Sequence, residues 1–215
     1  MPQTQPDQAT PQEKLWRGEF GDQYVGRNGL SDEKLALLTA HWAKVLGCLD
    51  GEPPKSILEV GANIGLNLRA MRRLTTADFY AIEPNATARG ILTQDGVVPA
   101  ERVLDSVASD IPLPDASVDL AFTCTVLIHV HPDDLLAACR EIHRVSRRYV
   151  VCVEYFADSV QEVPYRGNRD ALFKRDFGSF YLDNFPDLKL VDYGFAWKRL
   201  TSVDNCTWWV FEKKS

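Results

Sequence analysis

Apolar residues fall along this chain in two alternating rhythms. Short runs of strand length are Ser56-Ile57-Leu58-Glu59-Val60, Phe79-Tyr80-Ala81-Ile82, Val118 to Cys124 and Tyr149 to Tyr155. Between them, apolar positions recur every three or four residues, the spacing of one helix face. Before the first run, Leu35, Leu38, Trp42, Val45, Leu46 and Leu49 keep that spacing. Ser31 caps the helix they predict, Asp32 and Glu33 fill its first turn, and Gly51 and Pro53-Pro54 end it. Leu66 to Leu74 and a short segment from Ala86 are read as helices. So is Pro132 to Val145, whose Leu135, Leu136, Cys139, Ile142 and Val145 share a face. A third strand is placed near Val103 to Val107. Tyr149 to Tyr155 is almost wholly apolar, as in a central strand of a parallel sheet covered on both faces. Two further strand-like runs, Leu188 to Trp197 and Cys206 to Phe211, close the chain. Alternating strands and helices followed by two strands predict an α/β, doubly wound sheet.

Composition narrows this picture. The 215 residues suffice for one α/β domain, and 45% hydrophobic content supports a sizeable core. The polar, Pro- and Gln-rich start is read as a disordered tail over 1–13, and 14–215 as a single domain. A net charge of −6, with no Lys/Arg run longer than two, disfavours nucleic acid as a partner. No apolar stretch reaches membrane-span length, and the five scattered cysteines read as reduced thiols of a cytoplasmic protein. A monomer or homodimer is expected.

Chemistry concentrates at the ends of the predicted strands. Glu59 ends the first, and a turn containing Gly61, Asn63 and Gly65 leads into a helix. Glycine there lets backbone approach a ligand, and the helix start offers free N–H groups. Glu83 ends the next strand, twenty-four residues after Glu59, where Rossmann-like sites hold a ribose diol. The third glycine of a dinucleotide fingerprint is missing, which disfavours an NAD(P)-dependent oxidoreductase. Glu59 before the turn suits a cofactor with an ammonium group and no pyrophosphate.

Glu59, Gly61, Gly65 and Glu83 resemble the first two motifs of class I S-adenosylmethionine-dependent methyltransferases, with Asn63 in place of the middle glycine. Asn tolerates left-handed backbone better than most residues. The resemblance implies a Rossmann-like seven-stranded sheet with an antiparallel last strand, S-adenosylmethionine as cofactor and no metal. It places Glu59 near the methionine amino group and Glu83 on the ribose hydroxyls. Asp110 and Ile111 are expected at adenine, with Thr125 and Val126 lining the cofactor. Trp16 to Asn28, with aromatics at 16, 20 and 24, is read as an N-terminal helical lid whose Tyr24 touches the methionine end. That segment, with Phe173-Lys174-Arg175-Asp176-Phe177 and 191–197, is similar to the pseudaminic acid biosynthesis-associated methylases. The family name is a genomic association and does not fix the acceptor; a small-molecule acceptor of sugar or nucleotide-sugar type is expected. A non-catalytic S-adenosylmethionine-binding protein is the other alternative.

His129 and His131 follow the fourth strand, next to the first, where ligands sit in such sheets. His129 is the first candidate for general base, since imidazole titrates near neutral pH, and Glu154 the second. The same histidines suit helix capping or backbone binding. His131 and Tyr155 are expected at the acceptor. Tyr165, Arg166, Lys174 and Arg175 form a locally basic segment, read as a lid for an anionic acceptor or as a solvated insertion.

Overall fold

The computed structural model describes residues 9–214. Residues 1–8 of the expected tail lie outside the described residues. Its remainder is corrected in part, because Pro11, Gln12 and Glu13 open helix α1 (Pro11–Arg17). The Thr10 hydroxyl accepts from the Glu13 N–H and proline stands in the first turn, two local signals that outweigh polar composition. Gly18 breaks the chain before α2 (Glu19–Arg27), and α3 (Asp32–Leu46) starts at the Ser31 cap as expected.

The α/β repeat then runs β1 (Ser56–Val60), α4 (Leu66–Met71), β2 (Asp78–Ile82), α5 (Ala86–Gln94), β3 (Val103–Leu104) and β4 (Val118–Cys124). It continues through α6 (Leu135–Val145) and β5 (Ser146–Glu154). The basic segment folds into a small hairpin, β6 (Gln161–Glu162) with β7 (Phe173–Lys174). The chain ends with α7 (Phe177–Asn184), β8 (Leu188–Ala196), α8 (Lys198–Thr201) and β9 (Cys206–Lys213).

Seven strands make one sheet in the order β3-β2-β1-β4-β5-β9-β8. β1 to β5 pair in parallel, and β9 is antiparallel to both its neighbours. The expected architecture, with its antiparallel last strand, is the one observed. Helices cover both faces. Trp42 of α3 and Met71 of α4 pack with Phe79, Phe122 and Trp208 on one side; Ile142 of α6 and Tyr181 of α7 pack with Val150 and Phe211 on the other. Each fully buried large side chain contributes about 1.5–3 kcal/mol. These two layers hold the C-terminal ends of β1 to β5 rigidly at one edge.

Candidate active site

The turns at that edge enclose a cavity of about 620 Å³, within the size range of small-molecule sites. It sits over the switch point between β1 and β4, where chain direction across the sheet reverses. α1 and α2 close over it from the other side. Trp16 packs edge-on against Phe20 and Tyr24 across the Gly18 break. Asn85 Nδ2 donates to the Trp16 carbonyl at 3.3 Å and to Asp22 Oδ1 at 3.0 Å, which ties the lid to the end of β2. Gly21 is required there, because a Cβ would fall on the Trp16 carbonyl oxygen.

Glu59 is buried in the cavity wall. Its Oε1 accepts from Asn67 Nδ2 at 2.7 Å, and Asn67 Oδ1 accepts in turn from Trp42 Nε1 at 3.0 Å. Its Oε2 is buried with no hydrogen-bond partner. Burial, with the nearby Glu83 charge, pushes the Glu59 carboxyl up to about 8. Glu83 is also buried in this wall. Its Oε2 accepts from the Asn63 N–H at 2.7 Å and its Oε1 from the Asn85 N–H at 2.8 Å.

The turn between them has Gly61, Asn63 and Gly65 at φ 75°, 48° and 74°. At Gly61 a Cβ would lie 2.6 Å from Val126 Cγ2, so a side chain there would push the β4 loop away. Asn63 holds the left-handed angle expected of it, and Asn28 of the lid donates to its Oδ1 at 3.4 Å. Gly65 does not line the cavity, and its missing Cβ makes room for Leu92 and Val97.

Other expected positions also lie off the cavity wall. Ser106 to Ser109 line the cavity, whereas Asp110 and Ile111 do not. The Ser106 hydroxyl bonds the Asp110 carbonyl and folds the loop back, and the buried Ile111 donates its N–H to Glu141 Oε2 at 3.0 Å. Glu154 lies behind the wall. Its carboxylate accepts the N–H groups of Val126, Leu127 and Ile128 at 3.1, 3.1 and 3.3 Å, so it anchors the turn after β4 and has no reach to an acceptor. Tyr155 also misses the cavity, donating to Asp204 Oδ2 at 2.6 Å. Lys174 lies over the Tyr155 ring and Arg175 over Phe180, so both leave the expected acceptor lid.

Thr125, Val126, Tyr24, His129, His131, Tyr165 and Arg166 do line the cavity. Thr125 has φ 58°, uncommon for a β-branched residue, and it turns the chain sharply at the end of β4. His129 Nδ1 donates to the Ala171 carbonyl at 2.6 Å, which leaves Nε2 unprotonated. Its ring packs against Trp16 and Tyr165, and burial pulls its pKa down to about 4. His131 Nδ1 accepts from the Asp133 N–H at 3.3 Å, as in a turn before a helix. Asn67, Lys34, Lys198 and Asp204 also line or brace the cavity. Sequence pattern did not single them out, since each depends on tertiary contact.

The buried titratable groups set a pH dependence. Glu59 near 8 and Glu154 pushed up by burial to about 7 bind protons more tightly folded than unfolded, where a carboxyl titrates near 4.5. Their stabilisation is present at low pH and is lost as pH rises through 7 and 8. His41 and His129, both pulled to about 4 by burial, act oppositely, losing stability as pH falls below 6.5. The ligand-free protein should therefore lose thermal stability from pH 6.5 to about 8.5, and Glu154→Gln should flatten the lower part of that decline. Thermal unfolding across this range checks it; equal slopes for both proteins would contradict it.

A methyltransferase domain family model matches residues 58–162, the stretch from within β1 to the end of β6. No curated protein matches the sequence. Among solved structures, a 1,6-didemethyltoxoflavin N1-methyltransferase from Burkholderia thailandensis, solved with 1,6-didemethyltoxoflavin and S-adenosylhomocysteine bound, is similar with a TM-score of 0.69 at 19% identity, over 100% of this chain and 94% of that one. A SAM-dependent methyltransferase from Leishmania major has a TM-score of 0.69 at 16% identity, over 96% and 87%. The magnesium protoporphyrin IX methyltransferase of Synechocystis, solved with SAM bound, has 0.65 at 11% identity, over 96% and 99%. The nicotinamide alternative is set aside by the domain match. Among the described residues, no group of three or more His, Cys, Asp or Glu side chains is arranged to hold a metal, and no helix is long and apolar enough to cross a membrane.

Proposed function

We propose that this protein, an S-adenosylmethionine-dependent methyltransferase, methylates an oxygen or nitrogen of a small polar acceptor of sugar or nucleotide-sugar type that carries an anionic group. One observation carries the cofactor placement: Glu59 Oε2 is buried without a donor, in the same wall as Glu83. A buried unpaired carboxylate oxygen is costly, and a ligand ammonium would relieve it. Each Glu83 oxygen takes one backbone N–H and keeps a second lone pair, so together they can accept from both hydroxyls of a diol. Bound S-adenosylmethionine supplies an activated methyl group on a sulfonium sulfur.

The chain's own residues then align and shield. Tyr24 and Asn28 of the lid cover the turn at Asn63, while Thr125 and Val126 form the wall over β4. Excluding water and fixing the approach of the nucleophile account for most of the rate in such a displacement. His129 Nε2 is the proposed proton acceptor. A weak base suffices for a hydroxyl, because an oxygen becomes strongly acidic once methylated. Among the described residues, Arg27, Lys34 and Arg166 line the cavity without a carboxylate partner, unlike Lys198, and this supports an anionic acceptor beside the acids of the same wall. The likeness to the pseudaminic acid biosynthesis-associated methylases supports the sugar class.

Turnover of methyl-labelled S-adenosylmethionine with sugar acids, nucleotide sugars, amines and peptides tests this reading. Transfer to anionic sugars is expected. Transfer only to peptides or neutral amines would overturn the acceptor class, and cofactor binding without transfer to any of them would favour a non-catalytic role.

A further inference from the structure

The residues assigned to the cofactor occupy only part of the wall. In sheet order, Ser106 to Ser109 stand beyond β3, Glu83 at β2, Glu59 at β1 and Thr125 at β4. Asp204, between α8 and β9, also lines the cavity, and its bond to Tyr155 ties it to the end of the sheet at β5 and β9. Tyr155, its hydrogen-bond partner, directly follows β5, which lies two strands from β1 on the side away from Glu83. A cofactor anchored at Glu83 and Glu59 leaves that end for the acceptor.

Asp204 is also held in place. Tyr155 donates its hydroxyl to Oδ2 at 2.6 Å, and Lys198 Nζ donates to Oδ1 at 2.6 Å. Burial alone would raise its pKa, but Lys198 and Tyr155 outweigh burial and hold it below the ordinary carboxylate value. Each oxygen thus accepts one hydrogen bond from the protein and keeps a lone pair for another.

We infer that Asp204 is the acceptor-side recognition residue, taking a hydrogen bond from the N–H or O–H group that receives the methyl, with Tyr155 and Lys198 as its positioning partners. This rests on the cofactor placement above. As the acceptor lone pair forms its bond to the methyl carbon, the carbon–sulfur electron pair returns to sulfur and positive charge builds on the acceptor atom. A fixed carboxylate at hydrogen-bond distance stabilises that charge. A nitrogen acceptor keeps one hydrogen on Asp204 while its other proton passes to His129; a hydroxyl hands its single proton over from the Asp204 hydrogen bond to His129 as its oxygen becomes cationic, and Asp204 ends ionised in both cases. Tyr155 therefore serves the acceptor through Asp204, without touching it.

Sinefungin, an S-adenosylmethionine analogue with an ammonium group where the methyl stands, tests this without knowledge of the acceptor. The wild type should bind sinefungin about tenfold more tightly than S-adenosylhomocysteine. Asp204→Asn should narrow that gap to about twofold while S-adenosylhomocysteine affinity stays within about twofold of wild type. Tyr155→Phe should narrow the gap part-way, again sparing S-adenosylhomocysteine, an outcome that mere loss of packing would not give. Asp204→Ser is read in the same way if the asparagine variant fails to fold. An unchanged gap in a folded Asp204 variant, or no gap in the wild type, overturns the inference. Failure of the wild type to bind either analogue refutes the cofactor placement instead.

Discussion

Glu83→Ala should weaken S-adenosylmethionine binding by about a hundredfold. A carboxylate accepting from two ligand hydroxyls contributes on the order of 2–3 kcal/mol, and each tenfold in affinity is about 1.4 kcal/mol. Glu83 also receives the N–H groups of Asn63 and Asn85, so alanine loosens the turn below the ligand and the anchor of the lid together. Glu83→Gln separates these contributions. Its amide oxygen can still accept one backbone N–H, but its amide nitrogen faces the other donor, so it should fall between wild type and alanine. Calorimetry with thermal unfolding as a control reads both. A folded alanine variant with unchanged affinity would remove Glu83 from the ribose.

His129→Ala should cut turnover by roughly 10²–10⁴ while leaving S-adenosylmethionine affinity nearly intact. The motivation is geometric: Nδ1 is committed to the Ala171 carbonyl, so the free Nε2 lone pair is left to the cavity. Alanine also opens a void beside Trp16 and Tyr165, so His129→Asn is the better control. Its amide can still donate to Ala171 but cannot take a proton. With its pKa near 4, His129 is neutral at physiological pH and should impose no inflection on the rate between about pH 5.5 and 8. His131→Ala should do much less, since that imidazole serves the Asp133 N–H. Equal and small losses at both positions would remove the base from His129.

Strand and helix identities were legible because burial on one or both faces imposes a period on the sequence. Val118 to Cys124 appears with the expected ends, and the Ser31 cap starts α3 where it should. The two acids were legible for the same reason: a carboxylate ending an apolar run faces the ligand edge of a parallel sheet. What failed depended on direction. Asp110 and Ile111 are displaced because one hydroxyl, Ser106, folds the loop back. Glu154 ends a buried run as Glu59 does, yet its partners are three backbone amides of a loop nearly thirty residues earlier in the chain. The density of positive charge from 165 to 175 marks the segment but not its orientation, and only Arg166 among its expected cations reaches the cavity. Asp204 carried no periodic signal at all.

The most direct test of the central claim is titration of the wild-type protein with S-adenosylhomocysteine and, separately, with NAD. Saturable calorimetric binding of S-adenosylhomocysteine at one site per chain, a raised melting temperature, and no response to NAD are predicted. Binding of NAD, or no heat and no thermal shift with S-adenosylhomocysteine, would contradict the assignment of this cavity.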